Sequence, residues 1–255
     1  MIPRHLIAPI LLAFIALNLV GQALPLYTDY LWFQEVKLTS VFTTILWTKI
    51  LLGTLAGLAF ALIVYLNVRL AARSRGGDVL IELEDPLGLP SRLVIEPLFR
   101  RLLLPGALVL GFLAALHAGS RWEMVLRFLN AQPFRVADPL FGKDVGFYVF
   151  RLPFYNMLYT WALVALGLTF VLVAATYVLH RGILMTPRGP QVLPRARAHL
   201  LGLGAALLVV KAGGYYLDAF ELLLSPGGVL YGASYTDVNA SLPALRVLAV
   251  LALVA

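Results

Sequence analysis

"LPFYNMLYTWALVALGLTFVLVAATYVL", residues 152–179, runs through 28 positions without one Asp, Glu, Lys or Arg. A helix rises about 1.5 Å per residue, so about 20 such residues cross a hydrocarbon core about 30 Å thick. In lipid every backbone N–H and C=O must be bonded within the segment, and for an isolated apolar run that means a helix. Outward from it the pattern recurs at 6–26, 50–68, 102–120 and 200–222, where Lys211 is the charge that falls near the middle. A sixth apolar run opens at 242 and is still apolar at 255, too short to span by itself. It reads as a truncated helix, so the native protein is expected to continue. These runs predict an all-α, polytopic transmembrane helix bundle with five full spans and part of a sixth.

Composition agrees. Of 255 residues, 61% are hydrophobic and 13% charged, against about one quarter charged in soluble domains. The net charge of +7 comes from 20 Lys and Arg scattered singly between apolar runs, which is not the basic stripe interleaved with stacking rings that nucleic acid requires. The chain has no Cys, which removes disulfides and thiolate sites. His5, His117, His180 and His199 lie far apart with no HExxH pair, so neither a metal nor a cofactor is expected.

The 6–26 run has a second reading. Arg4, an apolar stretch and Gly21-Gln22-Ala23 resemble a signal peptide, but the run exceeds the usual 7 to 15 residue core and carries Asn18 and Gln22 one turn apart. With the N-terminus inside, inner segments hold eleven Lys and Arg and outer segments eight. Lys and Arg favour cytoplasmic loops, so the expectation is a cell-membrane protein with a cytoplasmic N-terminus. The 71–100 segment, with Asp78, Glu82, Glu84, Asp85, Pro86 and Pro90, then reads as a cytoplasmic connector.

Segment 121–151 becomes an outer interfacial loop. Ser120 and Glu123 have capping-box spacing, and Trp122, Val125, Leu126 and Leu129 share a face, which predicts a short amphipathic helix on the membrane surface. Asp138-Pro139 has turn chemistry, with Gly142 to release the chain. "VGFYVF", 145–150, is β-branched and aromatic and reads as a short extended segment. Trp122, Phe147, Tyr148, Phe150 and Tyr155 lead a belt of rings expected at headgroup level on the outer face.

"FLNAQPFRVADPLFGKDVGFYVFRLPFY", "YTDYLWFQEVKLTSVFTT" and the stretch from "RARAHLLGLG" to "SLPALRVLA" resemble uncharacterised protein family 182, prokaryotic multi-pass membrane proteins. The resemblance covers nearly all of the chain outside the 70–100 connector. It implies about seven N-terminal helices followed by a large extracytoplasmic region, and no established activity or catalytic residues. Gly213-Gly214 departs from the bulky aromatic expected there.

The candidate intramembrane polar site is Lys211, Tyr215 and Asp218, with Asn18, Gln22 and Arg246. A central Lys costs about 2.5 to 3.5 kcal/mol on insertion scales and calls for a partner. Asn18 and Gln22, backbone carbonyls or an acid further along the native chain are the partners considered. Asp218 shares the face, but helical side chains lean toward the N-terminus, so Lys211 points away from it. Gly53 and Gly57 form a GxxxG pair suited to close packing, and Arg246 is placed to snorkel. The cluster Ser234, Thr236, Asp237, Asn239 and Ser241 lacks a base His or a GxSxG elbow.

Two functions follow. One is a membrane anchor and assembly domain for a large extracytoplasmic region, with membrane lipid, a second copy of the chain or its own C-terminal region as partners. The other is a transporter or membrane-embedded enzyme acting on lipid-linked or small polar substrates at the outer leaflet. With no convergent catalytic set, the non-enzymatic reading leads.

Overall fold

The computed structural model describes residue 21 and residues 23–73, 80–82, 92–94, 96–186, 189–225 and 232–255. The fold is all-α. After a helix over 23–35 (α1) come α2 (Thr39–Ala72), a hairpin of β1 (Leu80–Glu82) and β2 (Arg92–Val94), α3 (Glu96–Gly119) and α4 (Trp122–Leu129). Then follow α5 (Leu152–Leu179), a hairpin of β3 (Ile183–Thr186) and β4 (Gly189–Val192), α6 (Pro194–Glu221) and α7 (Leu242–Val254). Among the described residues five helices are long and apolar enough to cross a membrane: Thr39–Ala72, Pro97–Gly119, Phe147–Leu179, Pro194–Leu224 and Asp237–Val254; most of the expected span at 6–26 lies outside the described residues. The last reaches 18 residues because its helix starts five residues before the apolar run, in a π-helical turn at Asp237–Ser241. The chain is a multi-pass membrane protein.

The described residues up to 51 and those from 52 onward form two separate compact units. In the first, α1 turns into α2 through Lys37 at φ 58°, and Tyr30 and Phe33 both set their rings 5.7 Å from that of Phe42.

In the second unit small residues bring helices together. A Cβ on Gly57 would sit 2.6 Å from the Gly111 carbonyl oxygen, and one on Gly53 would sit 2.9 Å from that of Ala115. The Gly53/Gly57 pair therefore lets α2 lie directly on α3, which is packing by close backbone approach. The buried core runs between helices, with Phe60, Val64 and Val68 of α2 grouped with Val173 and Tyr177 of α5 and Leu203 of α6.

Three local expectations change. "VGFYVF" is helical: Phe147–Arg151 forms a π-helical turn that runs into α5. Extended backbone lies upstream, where Ala137 bridges Asp144. The β preference of these residues yields to burial, because a helical turn sets Tyr148 and Phe147 against Phe220 of α6. The capping box does not form. The Ser120 hydroxyl donates to the His117 carbonyl at 2.7 Å, closing the end of α3, and Glu123 pairs with Arg127 one turn on. The inward face of α4 is also rotated from the expected one. Leu129 is 68% exposed, whereas Phe128 stacks on Phe154 with ring centroids 4.2 Å apart.

Candidate functional site

The polar candidates lie on α6. Lys211, Tyr215 and Asp218 occur at i, i+4 and i+7, so they follow one face of the helix. Lys211 does not turn to Asp218. Its Nζ donates to the Tyr159 hydroxyl of α5 at 3.1 Å and sits 4.9 Å from the centroid of the Tyr215 ring. The ammonium thus rests between the Tyr159 hydroxyl and the Tyr215 ring, a cation–π arrangement that offsets its removal from water. Gly214 makes this possible. It is buried, and a Cβ there would overlap the end of the Tyr159 ring. The departure at Gly213-Gly214 is therefore the space into which Tyr159 reaches, while Gly213 has nothing near its Cβ direction.

Toward the end of α6, Asp218 and Glu221 line a cleft of about 470 Å³ with Leu222, Leu224, Ser225 and Leu245 of α7. The Asn156 amide of α5 donates to the Glu221 carboxylate. Arg246 is exposed on α7 beside Leu245 in sequence and is not part of the cleft lining. Asn18 and Gln22 lie outside the described residues.

The aromatic stretch packs on itself and on α6. Tyr148 is 7% exposed and donates its hydroxyl to Asp138 at 2.8 Å. Phe147 and Phe141 pack on Phe220 at 5.1 and 4.9 Å, and Phe150 stacks on Phe134 at 5.8 Å. Tyr155 and Trp122 are half-buried, with Tyr155 set edge-on to Phe128 at 5.8 Å. Two carboxylates organise the loop beneath. Asp138 accepts from the amides of Leu140, Phe141 and Lys143 at 2.6 to 2.9 Å. Asp144 accepts from those of Phe134, Arg135 and Gly146 at 2.7 to 3.0 Å. Burial acts to raise the Asp138 carboxyl, but the Phe141 amide, the Tyr148 hydroxyl and the other two amides outweigh it and hold it below 3.8. The Phe134 amide, against some burial and with further amide donors, does the same for Asp144.

A second polar chain escaped the sequence reading. Asn67 of α2 donates its Nδ2 to the Ile63 carbonyl at 2.7 Å, which turns its Oδ1 toward His199 Nε2 of α6, 3.0 Å away. His199 Nδ1 meets the Tyr177 hydroxyl of α5 at 3.0 Å. The pattern is satisfied by the Nε2–H tautomer, with Nδ1 accepting from Tyr177. Tyr177 is 1% exposed, and a Cβ on Gly182 would lie 2.7 Å from its ring. The sequence signal is an Asn and a His near the ends of two apolar runs; of the two only His199 enters the sequence analysis, as a metal-ligand candidate and not as a bridge between helices.

The cluster around Asp237 is a helix start. The Ser234 amide and hydroxyl donate to Asp237 at 2.9 and 2.8 Å, and the Asp237 amide returns a bond to the Ser234 hydroxyl at 3.2 Å. This is a reciprocal cap, which accounts for the grouping without catalysis. Among the described residues no group of His, Asp and Glu is arranged to hold a metal.

Residues 6–255 match the model of the Uncharacterised protein family (UPF0182). The chain belongs to the UPF0182 family. A UPF0182 protein of Mycobacterium marinum is 40% identical over 251 residues, which is 96% of this chain and 25% of that relative. UPF0182 proteins of Frankia casuarinae and Rhodococcus jostii are 37% and 39% identical over 243 residues, covering 95% and 94% of this chain and 24% of each relative. The chain thus spans about a quarter of the length of the curated UPF0182 relatives it matches. No solved structure matches.

Proposed function

We propose that this chain is the membrane-anchoring and assembly domain of a longer cell-membrane protein whose remaining bulk lies outside the cytoplasm, with the N-terminus inside. The observation that carries this reading is that polar side chains within the spans bond to one another across helices. Lys211 meets Tyr159, Asn156 meets Glu221, and His199 meets both Asn67 and Tyr177. Such pairs hold a bundle together. A transport path instead needs polar groups that converge on water at one depth. The share of the relatives covered by the chain supports a large partner region.

The test is to express the longer protein's membrane part and its remainder as separate chains. The reading expects them to co-purify from detergent extracts; release of the remainder into the soluble fraction would overturn it. Transport or chemistry on lipid-linked or polar substrates at the outer leaflet is the second reading. The cleft that Asp218 and Glu221 line at the α6–α7 end favours it. Asp218→Asn together with Glu221→Gln should then abolish a cellular phenotype of the full protein while leaving its abundance unchanged.

A further inference from the structure

The loop from 120 to 146 joins two membrane-spanning helices, so it lies at a membrane face whichever side is cytoplasmic. Together with the first turn of the span that follows, residues 121–151, it carries three acids and five bases. All three acids are taken up inside the loop. Asp138 and Asp144 turn inward onto backbone amides, and Glu123 pairs with Arg127 along α4. The side chains of Arg121, Arg135, Lys143 and Arg151 are exposed and meet no carboxylate among the described residues, with the Lys143 ammonium 6.0 Å from the centroid of the Phe147 ring. Arg135 is held at φ 59°, locked in place by its own amide bonding to Asp144. The charge presented to the surroundings is therefore basic, although the segment's formal charge is only modestly so. Beside these cations Leu129, Phe134, Val136 and Val149 expose apolar side chains.

We propose that this loop, with the first turn of the span that follows it, is a binding surface for anionic phospholipid in the adjoining leaflet, its four exposed cations meeting headgroup phosphates and its exposed apolar side chains entering the acyl boundary. Charge complementarity selects the lipid. A zwitterionic headgroup carries its own ammonium against the phosphate, whereas an anionic one leaves the surface with a net negative potential that attracts Lys and Arg. Each cation near such a surface is worth about fivefold in partition. Rigidity adds to this, because the Asp138 and Asp144 bonds hold the loop's backbone before lipid arrives. The inference rests on the multi-pass topology and not on the anchoring role.

Trp122 at the start of α4 gives a local readout. The chain with Trp32, Trp47 and Trp161 changed to Phe is reconstituted into vesicles of phosphatidylcholine containing phosphatidylglycerol, with bromine on the acyl chains of one lipid or the other. Brominated phosphatidylglycerol should quench Trp122 at least about twofold more than brominated phosphatidylcholine at equal mole fraction. Adding Arg121→Gln, Arg135→Gln, Lys143→Gln and Arg151→Gln together should remove the excess. On the chain that keeps its cations, raising the salt to about 1 M should shrink the excess too, since exposed charges are screened there; this arm stands even if the fourfold variant fails to fold. Soluble glycerol phosphate should not compete. Equal quenching by the two lipids, an excess that survives the fourfold change or high salt, or displacement by glycerol phosphate would each overturn the proposal.

Discussion

At the residue scale, Lys211 is held by one neutral hydroxyl. A hydrogen bond to a charged group contributes about 1.5 to 3 kcal/mol, and stripping one partner leaves the other unsatisfied. Tyr159→Phe is therefore expected to destabilise the bundle by about that amount. The double change Tyr159→Phe with Lys211→Met should recover most of the loss, because a buried polar pair replaced as a whole is often neutral. Detergent-solubilised thermal unfolding of the four chains in the cycle measures this. Asp138 and Asp144 set a second expectation. Both carboxyls sit below the ordinary 3.8, so their contribution to loop order is present above that value and fades as pH falls through their lower folded-state values. Hydrogen-exchange protection at the Phe134, Arg135 and Gly146 amides should hold through neutral pH and be lost in acid below about 3.8. Sequence marked out Lys211 from its cost in lipid but not Tyr159, which lies 52 residues away on another helix. Periodicity reports which residues share a face of one helix; it carries no information on what a neighbouring helix brings to that face.

At the element scale the spanning helices were legible because a lipid environment imposes length and apolarity on each segment separately. The GxxxG pair was legible for a related reason, since small residues four apart have few other uses in such a run. Gly57→Leu is expected to cost about 1 to 3 kcal/mol or more by driving α2 off α3, because the obstacle is the Gly111 backbone and not a side chain that can swing away. Gly213→Ala, with open space at its Cβ, is the matched control and should be near neutral. Elements at the membrane surface were harder to read. "VGFYVF" suits a strand by composition but is overruled by contacts with α6 that no local pattern encodes, and Ser120 and Glu123 suit a cap by spacing but the Ser120 hydroxyl is claimed by the competing local bond to the His117 carbonyl. Phe128→Ala should detach α4 from Phe154 and Tyr155, whereas Leu129→Ala should leave it in place. Protease sensitivity of the 121–130 segment in proteoliposomes separates the two.

At the scale of the whole molecule, successive spans place the 120–146 loop and the α6–α7 connection on one face, with the β3–β4 hairpin on the other. The chain has no Cys, so single substitutions report position cleanly. Gln132→Cys should react with an impermeant thiol reagent on intact cells and Gln191→Cys should not; the reverse would invert the proposed orientation. The central claim is that polar groups inside the spans serve each other and do not line a route for water. Thiol accessibility of Lys211→Cys to a small water-soluble reagent in intact membranes tests it most directly. The account predicts labelling as slow as at Val209→Cys, whose native side chain is exposed on the apolar surface of the same helix; rapid labelling at 211 from either side, approaching that of Gln132→Cys, would contradict it.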